Sequence, residues 1–247
     1  SGSICSPTQT CQKCDQFPPE SSCDCCDRPA FLNLCCDAFK TATEFSDSIL
    51  QGIEEAEFAS ELKQYSAVQF SKDATVIQNL TENVAEAKAS ISSYTYKGGG
   101  TNTEGAIDRC RELLTGEQNA VIVLITDGMP TRCLNGAGMS VREGKDKDQC
   151  AGTPGRSAQE AAENAANEAA SAGISIIPVS VLDDADALNA LNALARCAGE
   201  LEAPGEGCLT NQGINVKNFD QDLNKIINRI IVTVNCNGDE RTLEPTS

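Results

Sequence analysis

The stretch VIVLIT at residues 121–126 constrains this chain more than any other. Five apolar residues and a threonine in a row leave no polar face, so a strand built from them must be covered on both sides. A second run of this kind, ISIIPVSV at 174–181, follows the alanine-rich helical pattern SAQEAAENAANEAASAG, which Gly173 closes. Two doubly covered strands joined through a helix form the βαβ unit of a parallel sheet.

The flanking sequence supplies further elements of the same kind. Phe31, Leu34, Cys35, Ala38, Phe39, Ala42, Phe45, Ile49 and Ile53 recur every three or four residues and predict an amphipathic helix. LKQYSAVQFS alternates as a strand does, and ATVIQNL returns antiparallel beside it. NVAEAKASISSY predicts a short helix ahead of Lys97-Gly98-Gly99-Gly100, and TNTEGAIDRCRELL starts another with Thr and Asn in capping positions. After the second buried run come the helical patterns DADALNALNALARCAG and GINVKNFDQDLNKIINRIIVTVNC. The fold class expected is α/β, a doubly wound and mostly parallel sheet flanked by helices. At 247 residues one large domain buries an ample core. With seven Phe, three Tyr and no Trp, that core has to be filled by Ala, Ile, Val and Leu.

Charge and cysteine narrow the function classes. A formal charge of −17, from 36 acidic against 19 basic residues, repels nucleic acid and anionic lipid, since both need a basic face. The absence of histidine removes the commonest general base and transition-metal ligand. Fourteen cysteines point to an oxidising compartment, and hence to a secreted protein whose precursor carries a leader. Eight fall in the first 36 residues (Cys5, Cys11, Cys14, Cys23, Cys25, Cys26, Cys35, Cys36), and Cys110, Cys133, Cys150, Cys197, Cys208 and Cys236 are spread thinly beyond. The even total fits complete disulfide pairing, with the partners open. Residues 5–30 have almost no apolar periodicity and read as a loop held by disulfides. Cys11-x-x-Cys14 and Cys23-x-Cys25-Cys26 also permit zinc, but the lack of histidine and the secreted character favour disulfides. Asn79-Leu80-Thr81 is a glycosylation acceptor triplet, and no run of ~18 apolar residues is present to span a membrane.

Ligands in open α/β sheets bind at loops leaving the carboxyl ends of the strands. Three such loops carry hard oxygen atoms: Ser1 and Ser3, then Thr101 behind three glycines, then Asp127 directly after VIVLIT. This set resembles the von Willebrand factor type A domain. That family's metal-ion-dependent adhesion site uses Asp-x-Ser-x-Ser on the first loop, a Thr on the second and an Asp on the third. GGGTNTEGAI and VIVLITDG carry the resemblance, and AVQFSKDATV and NFDQDL stand where the family has its second and third strands and its last helix. It spans residues 1–236, with 5–30 and 129–155 as cysteine-bearing additions and 237–247 as a solvated tail.

The resemblance implies that Ser1, Ser3, Thr101 and Asp127 are the metal ligands. The ion implied is Mg²⁺ or Ca²⁺, with Mn²⁺ as a further option, and it keeps a coordination position open for the carboxylate of a protein ligand. The family's first-loop Asp and its apolar first strand correspond to positions before Ser1. A strand upstream, or one donated by another chain, is therefore implied. Blander readings exist for each residue alone: a helix cap at Thr101, a turn at Asp127-Gly128, a linker at Ser1-Gly2-Ser3. The triple glycine does not make a phosphate loop, because no Lys-Ser/Thr pair follows it.

The function expected is an extracellular recognition or adhesion module, at the cell surface or in the matrix, that binds a protein through a divalent cation. The alternative is a disulfide-held subunit of an extracellular filament, contacting its neighbours, with the metal site vestigial or stabilising. Enzymatic activity is not expected. Asp127 and Glu104 can be imagined as paired carboxylates for hydrolysis, but Glu104 lies one helical step past the loop and reads as a first-turn helix charge.

Overall fold

A computed structural model describes residues 33–56, 63–94, 100–126, 128–142, 150, 156–181, 185–198, 214–216 and 219–239. Its centre is the predicted βαβ unit. β3 (Val121–Thr126) and β6 (Ser175–Ser180) pair in parallel along their whole length, from Val121↔Ser175 to Thr126↔Ser180. α4 (Ala158–Ser171) connects them. Every residue of β6 is buried, as a doubly covered strand requires. β7 (Ile214–Asn215), too short to show in the sequence pattern, extends this parallel sheet on the far side of β6.

Two apolar clusters cover the two faces. On the first face, Ile122, Leu124 and Ile176 pack under α3 (Thr103–Leu113), α4 and α5 (Ala185–Asn192). On the second, Ile177 and Val179 meet Phe45 and Ile49 of α1 (Asn33–Glu55) and Ile226 and Ile230 of α6 (Phe219–Asp239). α6 runs three residues into the stretch expected to be a solvated tail. The buried face of α4 consists of seven alanines, which lets the helix lie close to its neighbours. Its start is fixed by a capping box: Ser157 Oγ accepts from the Glu160 N–H, and the Glu160 carboxylate accepts from the Ser157 N–H. Gly173, at φ +80°, supplies the left-handed residue that ends it.

β1 (Tyr65–Phe70) and β2 (Ala74–Thr81) form the predicted antiparallel pair, and α2 (Val84–Ser92) packs against them. Between this pair and β3 lies a gap of the kind the family resemblance implies. Among the described residues β1 pairs only with β2 and β3 only with β6, so the sheet is in two parts. A cavity of about 400 Å³ separates β1 from β3. The physical reason is that no described strand occupies the middle.

Part of the 129–155 segment, expected to be loop, forms regular structure. β4 (Arg132–Leu134) and β5 (Ser140–Arg142) make a short antiparallel ribbon whose central pair is Cys133↔Val141. A Cys133–Cys150 disulfide staples it, and both cysteines pack with Ala158 and Ala161 at the start of α4. Cys197 is disulfide-bonded as well.

The expectation of complete pairing is corrected at Cys110, which is a free thiol. It sits on α3 against the first apolar cluster, and desolvation pushes its pKa up to about 12, so it behaves as a small apolar side chain. Cys35 and Cys36 fall in α1 and Cys236 in α6. Cys5, Cys11, Cys14, Cys23, Cys25, Cys26 and Cys208 lie outside the described residues. Asn79 is exposed on β2, and no helix among the described residues is long and apolar enough to cross a membrane.

Candidate functional site

The end of β1, the start of α3 and the segment following β3 meet at one rim of the molecule, and Thr101 stands where they join. Asn102 ties the helix start to β1. Its N–H donates to the Ser71 carbonyl at 2.9 Å and its side-chain amide to the Lys72 carbonyl at 3.3 Å. Its Oδ1 caps α3 by accepting from the Gly105 N–H at 3.0 Å. This explains the glycine in TNTEG. A Cβ at position 105 would stand 2.8 Å from Asn102 Nδ2, so any larger residue collides with the cap.

Thr101 is held from the other side. Its N–H donates to Thr131 Oγ1 at 2.8 Å, and its carbonyl accepts from the N–H groups of Thr131 (3.0 Å) and Arg132 (3.2 Å). The β4–β5 ribbon therefore clasps the Thr101 backbone. The ribbon is anchored in turn. Glu104 accepts from the Leu134 N–H at 2.5 Å and lies 3.9 Å from the Arg156 guanidinium. Arg132 donates through Nε to Ser140 Oγ at 2.8 Å, and Ser140 Oγ donates to the Lys72 carbonyl. Burial raises the Glu104 pKa, while the Leu134 N–H and Arg156 pull it down. Glu104 is a first-turn acid, as expected, but a buried one whose work is to fix the ribbon.

With its backbone satisfied on both sides, the Thr101 side chain is left over. Thr101 is fully buried, and Oγ1 has no hydrogen-bond partner among the described residues; Thr103 Oγ1 is in the same state. A buried hydroxyl without a partner costs about 1–3 kcal/mol, so a ligand that uses it recovers that cost. A hydroxyl lone pair suits a hard cation. The start of a helix is electropositive, however, so the hydroxyl cannot hold a cation unaided and a nearby carboxylate has to supply the charge. Asp127 follows Thr126, the last residue of β3, and Thr126 is fully buried with its Oγ1 donating to the Gly128 carbonyl at 3.3 Å. Asp127 itself, with Ser1 and Ser3, lies outside the described residues. Of the four predicted ligands, Thr101 is the one that lies among the described residues.

The clasp by Thr131 and the anchoring of the ribbon through Glu104 were not foreseen. Thr131 stands in no motif, and Glu104, though part of TNTEG, read only as a first-turn charge. The only local signal was the pair Cys133 and Cys150, which brackets the segment.

Solved structures with similar folds are known. The von Willebrand factor domain of the type V pilus tip protein Mfa5 from Porphyromonas gingivalis aligns over 79% of this chain and 89% of its own, at TM-score 0.59 and 14% identity. The PilB minor pilin of Streptococcus sanguinis aligns over 80% of this chain at TM-score 0.57 and 16% identity. Proximal thread matrix protein 1 from the mussel byssus aligns over 81% at TM-score 0.50 and 18% identity. This chain spans 54% of the pilin's length and 41% of the thread protein's. At these identities the likeness is one of fold. No curated protein sequence matches the chain. The family model for the von Willebrand factor type A domain matches residues 36–229, from α1 into α6, and the chain belongs to that family.

Proposed function

We propose that this domain is a non-enzymatic, extracellular protein-recognition module that engages its partner through a divalent cation at the Thr101 rim. The observation that carries the reading is the buried, unpartnered Thr101 hydroxyl at the point where three chain segments converge. Thr101 would hold the ion together with Asp127, Ser1 and Ser3. A bound Mg²⁺ or Ca²⁺ supplies a Lewis-acidic position for a partner's carboxylate. The chain's own part is to fix the hydroxyl, through Asn102 below and Thr131 above. Support for an extracellular setting comes from the disulfides and from the pilus and thread-matrix proteins that share the fold.

Isothermal titration of the full-length protein with MgCl₂, CaCl₂ and MnCl₂ tests this. Saturable binding below millimolar metal is expected. Thr101→Val, nearly isosteric, should weaken it at least about tenfold, by the scale of losses at metal sites, while Thr101→Ser retains it. Equal affinity in the Thr101→Val protein would remove Thr101 from the site, and no binding at millimolar metal would end the cation mechanism.

A second reading, a disulfide-held subunit of an extracellular filament, is favoured by the stapled ribbon and by the two strand edges left unpaired among the described residues. Assemblies of that kind come apart on reduction and withstand EDTA, whereas cation-mediated contacts respond the other way.

A further inference from the structure

The β4–β5 ribbon carries a charge arrangement that folding alone does not favour. Arg132 and Arg142 stand directly opposite each other in the register of the two strands. The N–H groups of Arg132 and Leu134 point away from β5, to Thr101 and Glu104. The two arginines therefore form a pair with no backbone hydrogen bonds between them, the kind in which opposed side chains come closest. Like charges placed in this way destabilise a ribbon. Lys72 adds a third positive charge beside them, because Ser140 Oγ of β5 donates to the Lys72 carbonyl and accepts from Arg132 Nε. Glu104, the acid beneath the ribbon, is already engaged by the Leu134 N–H and by Arg156. Arg142 and Lys72 are exposed, and neither forms an ion pair among the described residues. Asp73, the exposed neighbour of Lys72 in sequence, is a single charge against three.

Apolar groups flank the charges. Met129 and Met139, the chain's two methionines, are the exposed large apolar side chains among the described residues, at 48% and 62%. β4 begins three residues after Met129, at the end of the ribbon where the arginines stand, and β5 begins directly after Met139, at the other end. The ribbon between them is stiff. Cys133 and Val141, on its inner side, pack with the start of α4, and the disulfide ties them there. At the tip, Asn135 Oδ1 accepts from the N–H groups of Ala137 (3.0 Å) and Met139 (2.9 Å), and Gly138, at φ +72°, completes the turn. The stem of Arg132 lies on Gly100, where an added Cβ would stand 2.6 Å from Arg132 Cγ. A surface fixed in this way beforehand loses little freedom when a partner arrives.

We propose that the outer side of this ribbon docks an acidic segment of a protein partner, with Arg142, Arg132 and Lys72 meeting its carboxylates and Met129 and Met139 its apolar side chains. Arginine and methionine are enriched at protein interfaces, and the flexible thioether side chain adapts to varied apolar shapes. The methionines favour a peptide over a sulfated glycan, which offers charge without apolar side chains to match them. The formal charge of −17 repels a long polyanion or a second copy of the chain. At physiological salt such fields fade within about 8 Å, so a short acidic segment meets the local charge of the ribbon and not that of the whole chain. This assignment rests on the recognition role proposed above, but not on its cation.

Fluorescence anisotropy on the full-length protein in EDTA is the test, with a labelled peptide repeating Glu-Leu-Glu-Ser as the probe. Saturable binding is expected, at least about tenfold tighter than for the same peptide with Lys in place of Glu, and weakening as NaCl is raised. Arg142→Glu should weaken it at least about tenfold, whereas Arg142→Lys keeps most of it. Lys72→Glu, on a different segment, should act in the same direction, so the outcome does not hang on one variant folding. Met139→Ser should lower affinity and leave the salt dependence unchanged. Equal binding of the Glu and Lys peptides would overturn the proposal, as would full affinity in folded Arg142→Glu protein. Heparin binding more tightly than the peptide would assign the surface to a glycan, and self-association abolished by Arg142→Glu would assign it to a second copy; either result overturns it. MgCl₂ is added last. A gain in peptide affinity that Thr101→Val removes belongs to the cation; peptide binding with no such gain ends the cation's part and leaves the ribbon surface standing.

Discussion

Phe45→Ala lowers the unfolding free energy by about 3–5 kcal/mol, the range for emptying a fully buried aromatic site. Phe45 has no exposed surface and is the largest fully buried side chain of the second cluster, where it joins α1 to Ile226 and Ile230 of α6. The chain has only seven phenylalanines and no tryptophan, so few residues can expand into the space. The adjoining cavity between β1 and β3 adds to the loss, because Ile49 of the same helix already lines it and α1 has less to rest on. Urea denaturation gives the measurement. A midpoint shift worth less than about 1 kcal/mol would mean that α1 repacks freely and contributes little to the second face.

Replacing Cys133 and Cys150 together by serine should cost about 3 kcal/mol, the chain-entropy value for a closed loop of this length, the two positions being 17 apart in sequence. The larger consequence is local. Cys133 is the middle residue of β4, flanked by Arg132, whose N–H holds the Thr101 carbonyl, and by Leu134, whose N–H is held by Glu104. Releasing the staple frees the ribbon before it disturbs β3 and β6, which pair independently of it. Divalent-cation affinity should therefore fall in the double mutant under conditions where circular dichroism still reports a folded sheet. An unchanged affinity would show that Asn102 and the end of β1 are sufficient to place Thr101.

The parts of this architecture that were legible in sequence are those whose burial is written as a local pattern. VIVLIT and ISIIPVSV announce doubly covered strands because nothing polar interrupts them. TNTEG announces a helix start because capping needs Asn102 and the close fit needs Gly105. The β4–β5 ribbon was illegible for the converse reason. Its three-residue strands bury little beyond Cys133 and Val141, and their order comes from a disulfide and from Glu104, which lies 30 residues from the N–H it accepts. The gap in the sheet was implied by the family resemblance but not by any pattern in the residues present. At the site, GGGT marked Thr101, but Thr131 carries no mark, since a lone hydroxyl in a loop is ordinary until the chain brings it within 2.8 Å of a backbone N–H.

The alanine face of α4 has a mechanical consequence. α3 and α4 lie directly against each other, and Ala162, Ala165, Ala166 and Ala169 share a cluster with Ala106 and Ile107 of α3. Alanine has no side-chain torsion, so this seam offers one fit and no alternatives; sliding it forfeits contact outright. The helix whose first turn follows Thr101 thus rests on an incompressible bed, so under the proposed function a partner arriving at the rim would meet a hydroxyl whose coordinates do not adapt.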